Sequence, residues 1–248
     1  MVEHDTFNVG VAGPIPASPT ILRDLRRKVA VLAVLLALAA SALAGSDQAW
    51  LKAAAEVKPF EAAGLSLRVE DELKYGGGRL VGEELIMSCG YRITPWLSAD
   101  VGHRIARDRP VKGGHLQTVQ RPLFDLSLAA PEFWTLKFDF RTRFELCDHH
   151  HQSPFIRYRE RLRLRTSWSA TRFEISPYCY NEVFLTGRPH RDSAFDRNRF
   201  QAGLSFRPMP SVAGLSCNLY YMVQHVRASH PARLRLDNIG GLELVYSF

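Results

Sequence analysis

The segment Phe155 to Trp168, FIRYRERLRLRTSW, places Arg157, Arg159, Arg161, Arg163 and Arg165 at every second position, with Ile156, Tyr158, Leu162, Leu164, Thr166 and Trp168 filling most of the places between. Successive side chains of an extended strand point to opposite faces. The segment therefore reads as a strand with one guanidinium face and one mostly apolar face. The same period returns along the chain. In LKFDFRTRFEL, Leu136, Phe138, Phe140, Phe144 and Leu146 oppose Lys137, Asp139, Arg141, Arg143 and Glu145. Leu65, Leu67, Val69 and Leu73 alternate with Arg68, Glu70, Glu72 and Lys74. Phe200, Ala202, Leu204 and Phe206 oppose Arg197, Arg199, Gln201 and Arg207, and Phe173, Ile175, Val183 and Leu185 oppose Arg172, Glu174, Tyr180 and Glu182. Ten such segments between Leu65 and Phe248, with no sustained helical period, predict an all-β, antiparallel up-and-down barrel of ten to twelve strands.

Ahead of these strands, Arg23, Arg26, Arg27 and Lys28 precede the apolar run VAVLAVLLALAA and then SALA, whose Ala42 and Ala44 fit a small-residue cleavage site. This pattern is that of a secretory signal peptide. The apolar run is shorter than the roughly 18 residues a spanning helix needs. The expected organisation is a signal helix with an N-terminal extension over 1–44 and a barrel over 45–248. Removing four basic and three acidic leader residues from 32 and 25 leaves 28 and 22. The excess is Arg interleaved with apolar residues, which marks a patterned face and not a basic tail. Cys89, Cys147, Cys179 and Cys217 form no CxxC pair, and three of them fall on the apolar side of their segments, so all four read as unpaired small hydrophobes.

The direction of the faces follows from export. TPW near Thr94, AAPE near Ala130, SWSA near Ser167 and PMPS near Pro208 read as short turns, and RDRPVKGG, CDHHHQSP, LTGRPHRDSAFD and VRASHPAR as longer polar loops. Short turns on one side and long loops on the other are expected of a transmembrane β-barrel. Bacterial single-chain barrels have even strand numbers. That parity leaves WLKAAAEVK, Trp50 to Lys58, either outside the barrel as a periplasmic or lumenal piece or within a twelve-stranded one. Leu242, Leu244, Tyr246 and Phe248 alternate to the end of the chain. Such a terminal strand resembles the signal read by the outer-membrane barrel-assembly machinery, with Tyr246 and Phe248 as its aromatic positions. Bacterial outer membrane is thus the expected location, with membrane lipid and the assembly machinery as partners. A soluble periplasmic lipid-binding barrel, turned with its apolar face inward, is the alternative that alternation alone leaves open.

With arginines inward, their charges need partners, because an isolated buried ion costs several kcal/mol. The expected lumen network is Arg68, Glu70, Glu72, Arg141, Arg143, Glu145, Arg157, Arg159, Arg161, Arg163, Arg165, Glu174, Glu182, Arg197 and Arg199. Its role is structural, filling and stiffening the interior, or that of a narrow, porin-like, anion-preferring channel. Arg suits such a network because its fork matches a carboxylate on a neighbouring strand.

On FRTRFEL (140–146), RYRERLRLR (157–165), PYCYNEVF (177–184), RNRFQAGLSF (197–206) and the terminal aromatic, the chain resembles the uncharacterised bacterial family labelled domain of unknown function 2490. The resemblance runs from Trp50 onward. It implies an outer-membrane barrel and supplies no reaction and no ligand. Asp71 and Glu160 depart from the pattern as polar residues on the lipid side, where a bulge is expected to reorient them.

Other chemistries fit less well. His151 and Ser153 stand two apart, as in barrel lipid hydrolases, but the position that should orient the histidine holds Arg165. A cation cannot accept the imidazole proton. An outer-membrane lipid-modifying hydrolase therefore stays a secondary reading, with no catalytic residue assigned. Cys147, Asp148, His149, His150 and His151 are contiguous, and neighbours in one run rarely converge on one ion, so they read as a solvated loop tip and no metal site is assigned. YGGGR reads as a tight loop, and no motif calls for a cofactor. Nucleic-acid binding would need aromatics beside the exposed arginines. On the strands richest in Arg the aromatics lie on the other face.

Overall fold

The computed structural model describes residues 46–60, 63–109, 117–148, 154–166, 174–188, 191–208, 212, 214–227 and 234–248. The expected signal segment, His149 to Ser153, and Arg172 and Phe173 lie outside the described residues. The regular elements are β1 (Gln48–Phe60), β2 (Leu65–Gly76), β3 (Arg79–Thr94), β4 (Leu97–Asp108), β5 (Gln117–Ala129), β6 (Leu136–Cys147), β7 (Phe155–Thr166), β8 (Ser176–Arg188), β9 (Arg191–Phe206), β10 (Leu215–Arg227) and β11 (Leu234–Ser247). Each pairs antiparallel with its sequence neighbours, and β1 pairs with β11 in parallel to close an eleven-stranded barrel.

The closure corrects the parity argument. Trp50 to Lys58 is neither outside the barrel nor one of twelve strands; it lies within β1, whose residues Gln48 to Glu56 run in register beside Ile239 to Ser247. Trp50, Lys52, Ala54 and Glu56 share one face of β1, and Leu51, Ala53, Ala55 and Val57 the other. Three small alanines blur the contrast that marks the other strands. An odd strand number puts the start of β1 and the finish of β11 at opposite ends of the barrel. The last residue still joins the ladder, since the Phe248 amide donates to the Glu56 carbonyl at 2.9 Å.

The expected difference between short turns and long loops is not found in the strand limits. Residues 189–190 alone connect β8 to β9, so most of LTGRPHRDSAFD is strand, whereas 167–175 and 207–214 lie at the end expected to carry short turns. A register shift between Phe184 and Leu185 lets the β8–β9 pairing continue through that polar stretch.

The orientation of the faces is as the alternation predicts. Leu67, Val69, Met87, Val101, Phe124, Leu162 and Leu204 are exposed on the outer wall, and Glu84, Arg104, Arg143, Glu145, Arg159 and Glu182 are buried. Asp71 and Glu160 stay on the outer wall, because β2 and β7 keep unbroken register with both neighbours there and no bulge turns them. Glu160 accepts a hydrogen bond at 2.8 Å from Thr142, directly opposite on β6.

Inside the seam, Trp50, Tyr178, Tyr220, Met222 and Ile239 form the largest buried apolar cluster. Gly241 makes it possible, since the Tyr220 ring occupies the space that a Cβ would need. Lys52 ties the seam from within, reaching Glu70 on β2 at 2.6 Å and Glu243 on β11 at 3.3 Å. All four cysteines are free.

Leu51 and Leu242 are direct partners across the seam, and adjacent strands lie roughly 5 Å apart, within reach of a disulfide. Leu51→Cys with Leu242→Cys, in a chain freed of its native cysteines, is expected to oxidise to a bridge joining the first and last strands after proteolysis. Fragments that separate without reductant would show that the barrel closes elsewhere.

Candidate functional site: the charged lumen

Three neighbouring strands set the pattern of the interior. On β7 the inward positions are Phe155 and five arginines; opposite the arginines β6 offers Lys137, Asp139, Arg141, Arg143 and Glu145, and β8 offers Tyr178, Tyr180, Glu182, Phe184 and Thr186. Arg161 thus faces Arg141 on one side and Glu182 on the other. Like charges directly opposite are destabilising, and diagonal contacts compensate. Arg159 donates to Glu145 at 2.7 Å on one side and to Glu182 at 3.0 Å on the other. Arg141 also reaches Glu182, at 2.9 Å.

Glu145 has no exposed surface, and Arg104, Arg143, Arg157 and Arg159 all lie within ion-pair distance of it. Its Oε1 accepts from Arg104 at 3.0 Å and Arg159 at 2.7 Å, while Oε2 has no hydrogen bond and faces Arg157 at 3.6 Å. Arg104 pairs as well with Glu84, which also takes Lys74. Arg143 grips Asp125 with both Nε and Nη2 at 2.6 Å, the two-bond geometry that only a guanidinium supplies. Toward the end where β11 finishes, Arg68, Glu70, Lys52 and Glu243 form a second group, with Arg68 donating to Glu70 at 2.5 Å. Glu72 lies 3.4 Å from Lys74.

Several of the cations also rest on rings. Arg161 lies 5.6 Å over Tyr180, Arg163 5.5 Å over Tyr178, and both Arg197 and Arg199 over Phe184 at 5.3 and 4.7 Å. Such contacts contribute ~1–2 kcal/mol when desolvated. Arg199 also donates to Gln224 at 2.6 Å, Arg197 lies 3.3 Å from Asp196, and Arg165 pairs with Asp139 at 3.2 Å.

Fourteen of the fifteen residues expected in the lumen network are on the inner face, and Glu174 is not. Its φ of 49° breaks the extended backbone two residues before β8 begins, and it pairs at the rim with Arg207 at 3.0 Å. Tyr246 and Phe248 are on the outer wall, their rings edge to face at 4.4 Å. The expected set omits Lys52, Lys74, Arg104 and Arg121, and the rings of Trp50, Tyr178, Tyr180, Phe184 and Tyr220. Most share the parity of the charges named from the sequence; Trp50 and Lys52 were hidden by the unplaced first strand.

Two cavities lie along the interior, and Arg159 and Glu182 line the smaller of them. One cavity of about 290 Å³ lies toward the finish of β11, lined by Arg68, Asp125, Arg161 and Tyr220 among others. Another of about 710 Å³ lies at the opposite end. Trp50, Glu84, Arg104 and Arg199 line both. Among the described residues no group of three or more His, Cys, Asp or Glu side chains is placed to hold a metal ion.

The family model described as Protein of unknown function (DUF2490) matches residues 47–235. No curated protein and no solved structure matches the chain.

Replacing Glu145 with Gln removes the shared partner of several buried guanidiniums, which is expected to destabilise the barrel by ~3–5 kcal/mol. Glu174→Gln, at the solvated rim, should cost under ~1 kcal/mol. Urea unfolding of the two variants reads the contrast, and an unchanged midpoint for Glu145→Gln would contradict the pairing.

Proposed function

The chain belongs to the DUF2490 family, and we propose that it is a bacterial outer-membrane barrel whose charged interior is a structural plug and not an open channel. The observation that carries the role is the buried Glu145–Arg159–Glu182 bridge, a layer of the inner wall that runs from β6 through β7 to β8. An ion path through that layer would have to break charge-assisted hydrogen bonds that the barrel uses for its own pairing.

The outer wall supports the membrane reading. Strands of twelve to sixteen residues exceed the ~9–11 that a tilted strand needs to cross the hydrocarbon layer. At the end where β11 finishes, Tyr91, Trp96, Phe133, Trp134 and Phe248 are exposed, in the manner of the aromatic girdle that sits at a membrane–water interface. The secretory leader and the alternating β11 complete the argument: the assembly machinery recognises that strand, and its finish faces the periplasm. A periplasmic lipid carrier would need an apolar lumen, whereas this one is lined by ion pairs.

The full chain, expressed with its leader, should sediment with outer membranes, resist alkaline carbonate extraction, and migrate differently on gels with and without boiling. In planar bilayers the refolded protein should pass no steady current. Soluble protein would overturn the location; steady anion-selective conductance would overturn the plug.

A further inference from the structure

The larger cavity, at the end where β1 starts, has a charge balance unlike the rest of the interior. Nine Lys and Arg side chains line its 710 Å³ against three carboxylates, Asp47, Glu84 and Asp108. Two of the three are occupied. Glu84 takes both Lys74 and Arg104, and Asp47 accepts from the backbone and side-chain nitrogens of Asn238 at 2.9 and 3.2 Å.

Two of the other guanidiniums are buried with no described carboxylate closer than 3.6 Å. Arg121 is 6 % exposed and sits directly opposite Arg104 across the β4–β5 pair; its nearest carboxylate among the described residues is Asp108 at 3.8 Å, and its Nε has no hydrogen-bond partner. Arg157 is 9 % exposed, with carboxylates at 3.6 and 3.7 Å and an Nε likewise unpartnered. Arg197 and Arg199 also line the cavity, stacked on Phe184, and the Nε of each already donates, to Asp196 at 3.3 Å and to Gln224 at 2.6 Å. Several converging guanidiniums in a low-dielectric recess repel one another and strand N–H donors, an arrangement that costs free energy unless an anion completes it.

We propose that this vestibule binds a phosphate-type oxyanion carried by a small phosphorylated ligand, held chiefly by the buried Arg121 and Arg157, with Arg197 and Arg199 lining the same cavity. Phosphate oxygens match the guanidinium fork in pairs. The volume is that of a small-molecule site and exceeds a bare ion, so the ligand carries more than one phosphate or an attached group. The inference rests on the cavity and not on the membrane assignment.

Pyrophosphate is a sufficient probe. Calorimetric titration of the refolded full chain in detergent should show one site, with binding that weakens as salt is raised. Arg121→Gln with Arg157→Gln should lower affinity at least tenfold, and Arg163→Gln, away from this cavity, should leave it within twofold. If the double variant does not refold, Arg79→Gln and Arg235→Gln at the cavity mouth replace it, each expected to lower affinity severalfold. Displacement of pyrophosphate by phosphatidic-acid vesicles identifies a lipid headgroup as the phosphate donor; vesicles without effect identify a soluble phosphate ester. Absent binding, or equal affinity in wild type and the cavity variants, overturns the proposal. Gel mobility and membrane sedimentation would be untouched by that failure, which separates it from a failure of the membrane reading.

Discussion

Glu145 is completely enclosed, and its neighbours Arg104, Arg143, Arg157 and Arg159 come from β4, β6 and β7. Moving a carboxylate and guanidiniums out of water costs several kcal/mol per ion, recovered only when geometry and hydrogen bonding are good. That condition couples the strands: Glu145 keeps its charge tolerable because Arg159 is also held by Glu182, and Glu182 because Arg141 and Arg199 lie beside it. The interior is therefore a network in which each ion is tolerable because others are already placed. A barrel whose described interior holds so many buried charges takes its shape from that mutual dependence and from the backbone ladder.

The seam has a different physics. Trp50, Tyr220, Met222 and Ile239 pack as an apolar sector of the inner wall beside the closing pair of strands, with Lys52 as its ionic clasp. Parallel pairing is slightly weaker per residue than antiparallel, and this is the one parallel junction in the barrel. The apolar sector and the Lys52 bridge supply at that junction what the ladder alone supplies less well. The placement of Gly241 under Tyr220 belongs to the same device.

Strand content, the direction of the two faces and most of the lumen residues were legible in the sequence, because a period of two is a local property that tertiary packing here reinforces. The alternation in Leu136 to Leu146 and in Phe155 to Thr166 survives intact. What was not legible depends on longer range. The alanines of β1 gave no contrast, so the first strand and the odd closure could not be read locally. Turn lengths judged from polarity failed between β8 and β9, since backbone pairing extends past the apolar belt irrespective of side-chain polarity. Glu174 has the right parity and the wrong backbone: its left-handed φ takes it out of the strand. The imbalance of charge between the two cavities was invisible because the sequence order alone does not show the height along the barrel at which each carboxylate and arginine stands.

Site-directed nitroxides report the two walls most directly. Labels at Val101, Leu162 and Leu204, placed on the outer wall, should in reconstituted bilayers collide more with membrane-soluble oxygen than with a water-soluble nickel chelate. Labels at Arg161 and Arg163 should be shielded from the lipid phase. The reverse ranking, with the Leu162 position screened from acyl chains and the Arg163 position exposed to them, would contradict the account.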